Sequence, residues 1–194
     1  MCAVPAGPKM FGMRKKLDLR PWQWLAAGPI PIPDVAGVLA TFRPGTARVV
    51  CFSGPHTLCR AAGWGLKKGK PEQVTAYGSW WADAAVLADI GQRLAMFDGW
   101  LPDAMLQRAH TVQYRGAVAL CEDWNDMGEM FRMELPVGQE IEGLVGISAP
   151  QPQYSGLDPK LGNTPILQGG AEQVFFKRTP ELNSINPLWV YPER

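Results

Sequence analysis

Histidine is almost missing from this chain: 2 in 194 residues, His56 and His110, far apart in sequence. The 4 cysteines, Cys2, Cys51, Cys59 and Cys121, form no CxxC and never meet a histidine at metal-ligand spacing, so no zinc-type site is expected. The thiols are expected to be reduced and structural, in a bacterial-type cytoplasm, not disulfide-bonded. The net charge of +1 gives no surplus of either sign to attract nucleic acid or a membrane surface. No apolar run approaches the length of a bilayer span. Arg14, Lys15 and Lys16 lead into no apolar core of the kind a signal peptide needs, so none is expected. Internal repeats, helix-turn-helix, zinc-finger and phosphate-loop patterns are absent. Ser53-Gly54 and Gly78-Ser79 lack the G-x-S-x-G frame of an activated serine.

What is present points to a globular domain. Hydrophobic residues are 46% and charged residues 19%, enough apolar material at this length for one sizeable core. The 18 prolines and 21 glycines imply many turns and short elements, which suits a β-rich or α+β domain better than a helical bundle. Residues 1–45 differ from the rest: Lys9, Arg14, Lys15, Lys16 and Arg20 make them basic, and Pro21, Pro29, Pro31, Pro33 and Pro44 interrupt any long element. They read as an extension or linker, with Trp22, Trp24 and Leu25 available to dock it, ahead of a domain at 46–194.

Within that domain, strands are expected at 48–53, 57–61, 130–135, 141–147, 174–176 and 188–191. Residues 83–97 carry helical spacing with Asp83 as cap, a short helix is expected at 103–108, and 112–120 reads as a strand. Residues 63–78, with Lys67, Lys68 and Lys70, read as a loop, and 148–168 as a long irregular segment. The run Glu122-Asp123-Trp124-Asn125-Asp126 reads as an exposed polar turn, its tryptophan assigned to packing.

The stretch Gly169-Gly170-Ala171-Glu172-Gln173-Val174-Phe175-Phe176 places two polar groups at the mouth of a strand, behind glycines that permit a tight turn. Strand alternation sends Glu172 and Gln173 to opposite faces, so only one faces a given cleft. Alternation likewise puts Leu58 and Arg60 on one face, and Trp80 and Trp81 on opposite ones.

Four pieces taken in order resemble a known superfamily. They are Thr57-Leu58-Cys59-Arg60-Ala61, Gly78-Ser79-Trp80-Trp81, Ala119-Leu120-Cys121-Glu122-Asp123-Trp124-Asn125 and the Gly169–Phe176 stretch. Between the last two, 132–141 reads as strand, Pro-x-Gly, strand. The pattern is similar to the ADP-ribosyltransferase superfamily, and within it to the NAD-consuming toxin domains of bacterial polymorphic and secretion-system effectors. The resemblance covers residues 50 to about 180.

It implies a split β-sandwich, two small sheets gripping NAD+, with a few short helices. It implies that Arg60 contacts the dinucleotide through its planar, permanently charged fork. Ser79, Trp80 and Trp81, with Leu58 and Ala61 beside the arginine, would bind around the nicotinamide end. The superfamily's late catalytic residue is usually a glutamate directly before a Val-Leu or Ile-Leu pair. Here Gln173 stands there, as in members of the tuberculosis necrotizing toxin type, which hydrolyse NAD+. A carboxamide orients ribose hydroxyls but neither takes a proton nor carries charge, so water becomes the expected acceptor. A one-residue register change would instead bring Glu172 into the cleft and make the site transferase-like. The Ser-Thr-Ser motif of many transferases has no match.

The resemblance implies NAD+ as substrate, no resident cofactor and no metal. It also implies a cognate immunity protein, and a delivery module or chaperone on the N-terminal side. Action would be in a target-cell cytoplasm, with nucleic acid relevant only as an ADP-ribose acceptor. Two other readings stay open: a mono-ADP-ribosyltransferase, and a non-enzymatic module with a tryptophan-rich binding surface.

Overall fold

Helix α1 (Arg20–Ala26) begins with proline in its first turn, where the missing amide N–H costs nothing. Helix α2 (Val35–Ala40) follows, capped by Asp34, whose carboxylate accepts from Gly37 N. Then come β1 (Arg48–Ser53), β2 (His56–Lys67), β3 (Lys70–Val74), β4 (Trp80–Asp83), α3 (Ala84–Leu94) with a short 3₁₀ turn, and α4 (Asp103–Val118). The remaining elements are β5 (Glu129–Leu135), β6 (Glu140–Ile147), β7 (Gln151–Pro152), β8 (Ile166–Leu167), β9 (Glu172–Phe175) and β10 (Ile185–Val190). This computed structural model describes residues 19–67, 70–74, 78–154, 165–177 and 185–190. Cys2, the basic residues Lys9, Arg14, Lys15 and Lys16, Lys68, residues 155–164 of the long segment and Tyr191 lie outside the described residues.

The fold is α+β. Eight strands form one antiparallel sheet in the order β1-β6-β9-β4-β2-β5-β10, with β3 also pairing to β2, and β7-β8 make a separate pair. The sheet curls. Gly54, just past edge strand β1, bridges Val137 beyond β5, near the other end of the strand order. The enclosed side chains include Phe52, Leu58, Trp81, Met133, Val145 and Phe176, drawn from across the sheet. A second core cluster lies between the sheet and α3–α4, with Cys59, Ala61, Ile90, Tyr114, Val118 and Met130.

The segment expected as a strand at 112–120 is helical, continuous with the predicted short helix. Alternation would have buried Val112 with Tyr114, yet Val112 is exposed; the buried set is Thr111, Tyr114, Arg115 and Val118, at helical spacing. The expected loop after 63 is instead largely a hairpin, because β2 runs on to Lys67 and folds back through β3.

The expected boundary near residue 45 is not where the packing breaks. Leu25 and Phe42, at 0% and 2% exposure, form a third core cluster with Leu144 of β6 and Phe175 of β9. Trp24 Nε1 donates to Glu142 at 3.1 Å, and Lys177 lies over the Trp24 ring while donating to Ala27 O at 2.7 Å. Residues 20–45 therefore belong to the domain. The prolines that make them look like a linker only stop the helices from lengthening. Among the described residues, no helix is long and apolar enough to cross a membrane.

Candidate functional site

Strands β9, β4 and β2 are neighbours in that order: Gln173 pairs with Ala82, Ala82 with Cys59, and Trp80 with Phe175. Gln173 and Trp80 therefore share one sheet face, while Arg60, next to Cys59, starts from the other face and reaches Trp80 O with its guanidinium. Above them opens a cavity of about 580 Å³, lined by Arg60, Ala61, Trp80, Trp81 and Gln173 from the sheet. That is a size suited to a small-molecule ligand. Helix α4 supplies Tyr114 and Val118, the loop after it Trp124 and Asn125, and the N-terminal segment Asp34, Val38 and Thr41.

Arg60 is fixed where it stands. Its Nη1 donates to Trp80 O at 2.5 Å, and Gly78 packs against its other nitrogen so closely that a Cβ there would fall 2.1 Å from Nη2. Burial pulls its pKa down, opposed by nearby Tyr114, but a guanidinium remains charged at neutral pH. Tyr114 is fully buried and hydrogen-bonded to the Cys59 thiol; burial, with Cys59 adding, pushes the phenol well above its usual range, so it stays a neutral hydroxyl.

Gln173 is positioned by the end of α4. The last four carbonyls of a helix have no partner within it. Here the turn before β9 serves them. Gly169 N donates to Gly116 O at 2.9 Å and Ala171 N to Ala117 O at 3.0 Å. The Gln173 Nε2 reaches Val118 O at 2.7 Å. Ala119 closes the helix in the left-handed region. Buried Ser148 stitches the turn in place, its Oγ donating toward Ala117 O at 2.8 Å and accepting from Gly170 N at 2.9 Å. Since only the amide nitrogen of Gln173 donates to a carbonyl, its Oε1 is left to accept from a ligand.

Other predicted site residues lie elsewhere. Glu172 faces away from the cavity and pairs with Arg48 Nη2 at 2.7 Å, both partly solvent-exposed. The register that pairs Gln173 with Gly146 and Glu172 with Ile147 leaves it there. Leu58 is wholly buried inside the curled sheet and does not reach the cavity. Ser79 contributes its carbonyl, which accepts from Phe176 N at 2.8 Å, and does not line the cavity either. Trp81 is buried with its indole N–H turned to Gly78 O at 2.7 Å. Trp80 is half-buried, its ring 4.9 Å from Phe175 and 5.6 Å from Phe42.

Trp124, assigned from sequence to packing, is 42% exposed and lines the cavity. Its neighbour Asn125 is buried, donating to Ala61 O at 3.0 Å and accepting from Met127 N at 2.7 Å. The run 122–126 is thus a cavity wall as well as a polar turn. Asp34, Tyr114 and Gln151 are lining residues that no sequence signal marked.

Thiol chemistry is a poor fit to this site. Burial pushes Cys59 up to about 12 and Cys121 up to about 11, so neither supplies a thiolate near neutral pH. No group of His, Cys, Asp and Glu suited to a metal ion occurs among the described residues.

Compared with protein-family models, curated proteins and solved structures, the chain matches none.

Proposed function

We propose that this protein cleaves the nicotinamide–ribose bond of NAD+ and passes the ADP-ribosyl group to water, on an ADP-ribosyltransferase-like split β-sandwich. The observation that carries the reading is that Arg60, whose half-buried guanidinium is oriented by Trp80 O, and Gln173, whose carboxamide is anchored on α4, are both among the residues lining one cavity with two tryptophans. The Arg60 fork suits the pyrophosphate. Gln173 Oε1 accepts from ribose hydroxyls and holds the sugar as charge develops on it.

The step needs little acid–base help. The C1′–N bond breaks with its electron pair moving to the cationic ring nitrogen, so nicotinamide leaves neutral. A water oxygen bonds to C1′ and its surplus proton goes to solvent. Positioning and exclusion of competing nucleophiles are then the protein's main contributions. With Glu172 outside the cavity and paired to Arg48, no acidic side chain stands at position 173 to deprotonate a protein or nucleic-acid acceptor.

Purified protein incubated with NAD+ and a mixture of bacterial proteins tests the acceptor. Hydrolysis predicts ADP-ribose free in solution in step with nicotinamide; label accumulating on one macromolecule would establish transfer instead. The resemblance extends the proposal to a delivered bacterial toxin with an immunity protein that plugs the cleft. Co-purification with the neighbouring gene product, with loss of NAD+ cleavage in the complex, checks that extension.

A further inference from the structure

The cavity has a buried floor and an exposed mouth. Trp81, Tyr114 and Asn125 are buried, whereas Trp124 and Asp34 line the same cavity and are solvent-exposed. The segments that carry the two exposed residues are joined through 149–153 by backbone hydrogen bonds. Ala149 N donates to Thr41 O at 2.8 Å, tying the α2 end to 149–153, and Glu122 N donates to Gln153 O at 2.8 Å, tying that segment to the Trp124 loop.

Trp124 is held out there by its neighbours. Buried Arg115 clamps the loop, with Nη1 to Leu120 O at 3.0 Å and Nη2 to Asn125 O at 2.7 Å, and Asp126 accepts from Trp64 N at 2.9 Å. A rigidly mounted, exposed indole over a cavity is a stacking surface for a flat ring. Asp34 uses Oδ1 to cap α2, at 2.8 Å from Gly37 N, and its other carboxylate oxygen has no partner among the described residues. Among those residues, Arg60 and Asp34 are the charged side chains lining the cavity.

We infer that this mouth is an adenosine subsite that selects NAD+ over its 2′-phosphorylated form, NADP+; the inference rests on the NAD+-cleaving reading above. With the reacting ribose at Gln173 on the floor, the adenosine end reaches the rim. Adenine stacks on Trp124, and the Asp34 carboxylate accepts from the vicinal hydroxyls of the adenosine ribose. A 2′-phosphate there sets like charges against each other and removes a donor.

The full chain is assayed for nicotinamide release from NAD+ and from NADP+. The expected kcat/KM for NAD+ exceeds that for NADP+ by about tenfold or more. Asp34→Asn keeps the cap, since asparagine caps as well as aspartate, and brings that ratio toward one with the melting temperature unchanged. Trp124→Ala raises KM for NAD+ by about tenfold or more with a smaller change in kcat. Equal cleavage of both dinucleotides by the unaltered protein, or an unmoved ratio in Asp34→Asn, overturns the inference. So does an unmoved KM in Trp124→Ala. Binding of AMP and of adenosine 2′,5′-bisphosphate, followed by tryptophan fluorescence, reads the subsite without turnover, and AMP is expected to bind about tenfold tighter or more. No nicotinamide from either dinucleotide, with AMP still preferred, sinks the hydrolytic reading and leaves the subsite standing; no preference in binding sinks the subsite alone.

Discussion

Gly78 is where a single atom decides the site. A methyl group there would meet the Arg60 guanidinium, so Gly78→Ala displaces the fork and breaks its bond to Trp80 O. The expected result is a fall in kcat/KM of roughly tenfold or more, together with a stability loss of about 1.5–3 kcal/mol by chemical denaturation from the lost charged hydrogen bond. A second variant tests why position 173 holds an amide. In Gln173→Glu a carboxylate would face Val118 O at the negative end of α4, with no proton to donate. Its pKa in the folded state would rise above the unfolded value, so stability present at acid pH is lost as pH climbs through the raised value. Melting temperatures of this variant should therefore fall relative to the parent between acid and neutral pH; parallel profiles would show that the Val118 contact is dispensable. Arg60 and Gln173 are singled out in the sequence only by the resemblance to a superfamily pattern; strand alternation by itself sends Glu172 and Gln173 to opposite faces without saying which meets a cleft. Asp34 and Trp124 are not marked as site residues, because only the chain's path through space brings an N-terminal residue and a mid-chain loop to the rim of one cavity.

The element on which the site turns is α4 with the 169–173 turn. From sequence alone α4 looks like a short helix followed by a strand, since Thr111, Val112, Tyr114 and Val118 are residue types that strands favour. Burial on one helical face overrode that preference, and the resulting C-terminus is what orients Gln173. The turn closes with Gly169 at φ +65°, where an added Cβ would also sit 2.5 Å from Ser148 O. Backbone strain and a fixed carbonyl together make Gly169→Ala costly, about 1–3 kcal/mol by chemical denaturation, with activity falling as α4 and β9 separate. A substitution without effect on stability would mean that the turn does not anchor the helix.

At the scale of the molecule, the sequence conveyed the α+β class and most sheet strands, but not the curl of the sheet or the place of the first helices. Proline-rich composition resembles a linker whether or not the segment packs, and only Leu25 meeting Leu144 and Phe175 distinguishes the two. Leu25→Ala is expected to cost about 2–5 kcal/mol, as for a buried core leucine; a linker residue would cost almost nothing. Because the same segment lines the cavity, the loss should extend to catalysis near the melting transition. The account's central claim is that Arg60 and Gln173 act together on one bound dinucleotide. Its most direct test is free nicotinamide measured after incubating the purified protein with NAD+ alone, beside Arg60→Ala and Gln173→Ala. The account predicts many turnovers by the parent and a loss of about a hundredfold or more in each variant that still folds; NAD+ left intact by the parent, or consumed equally by all three, would contradict it.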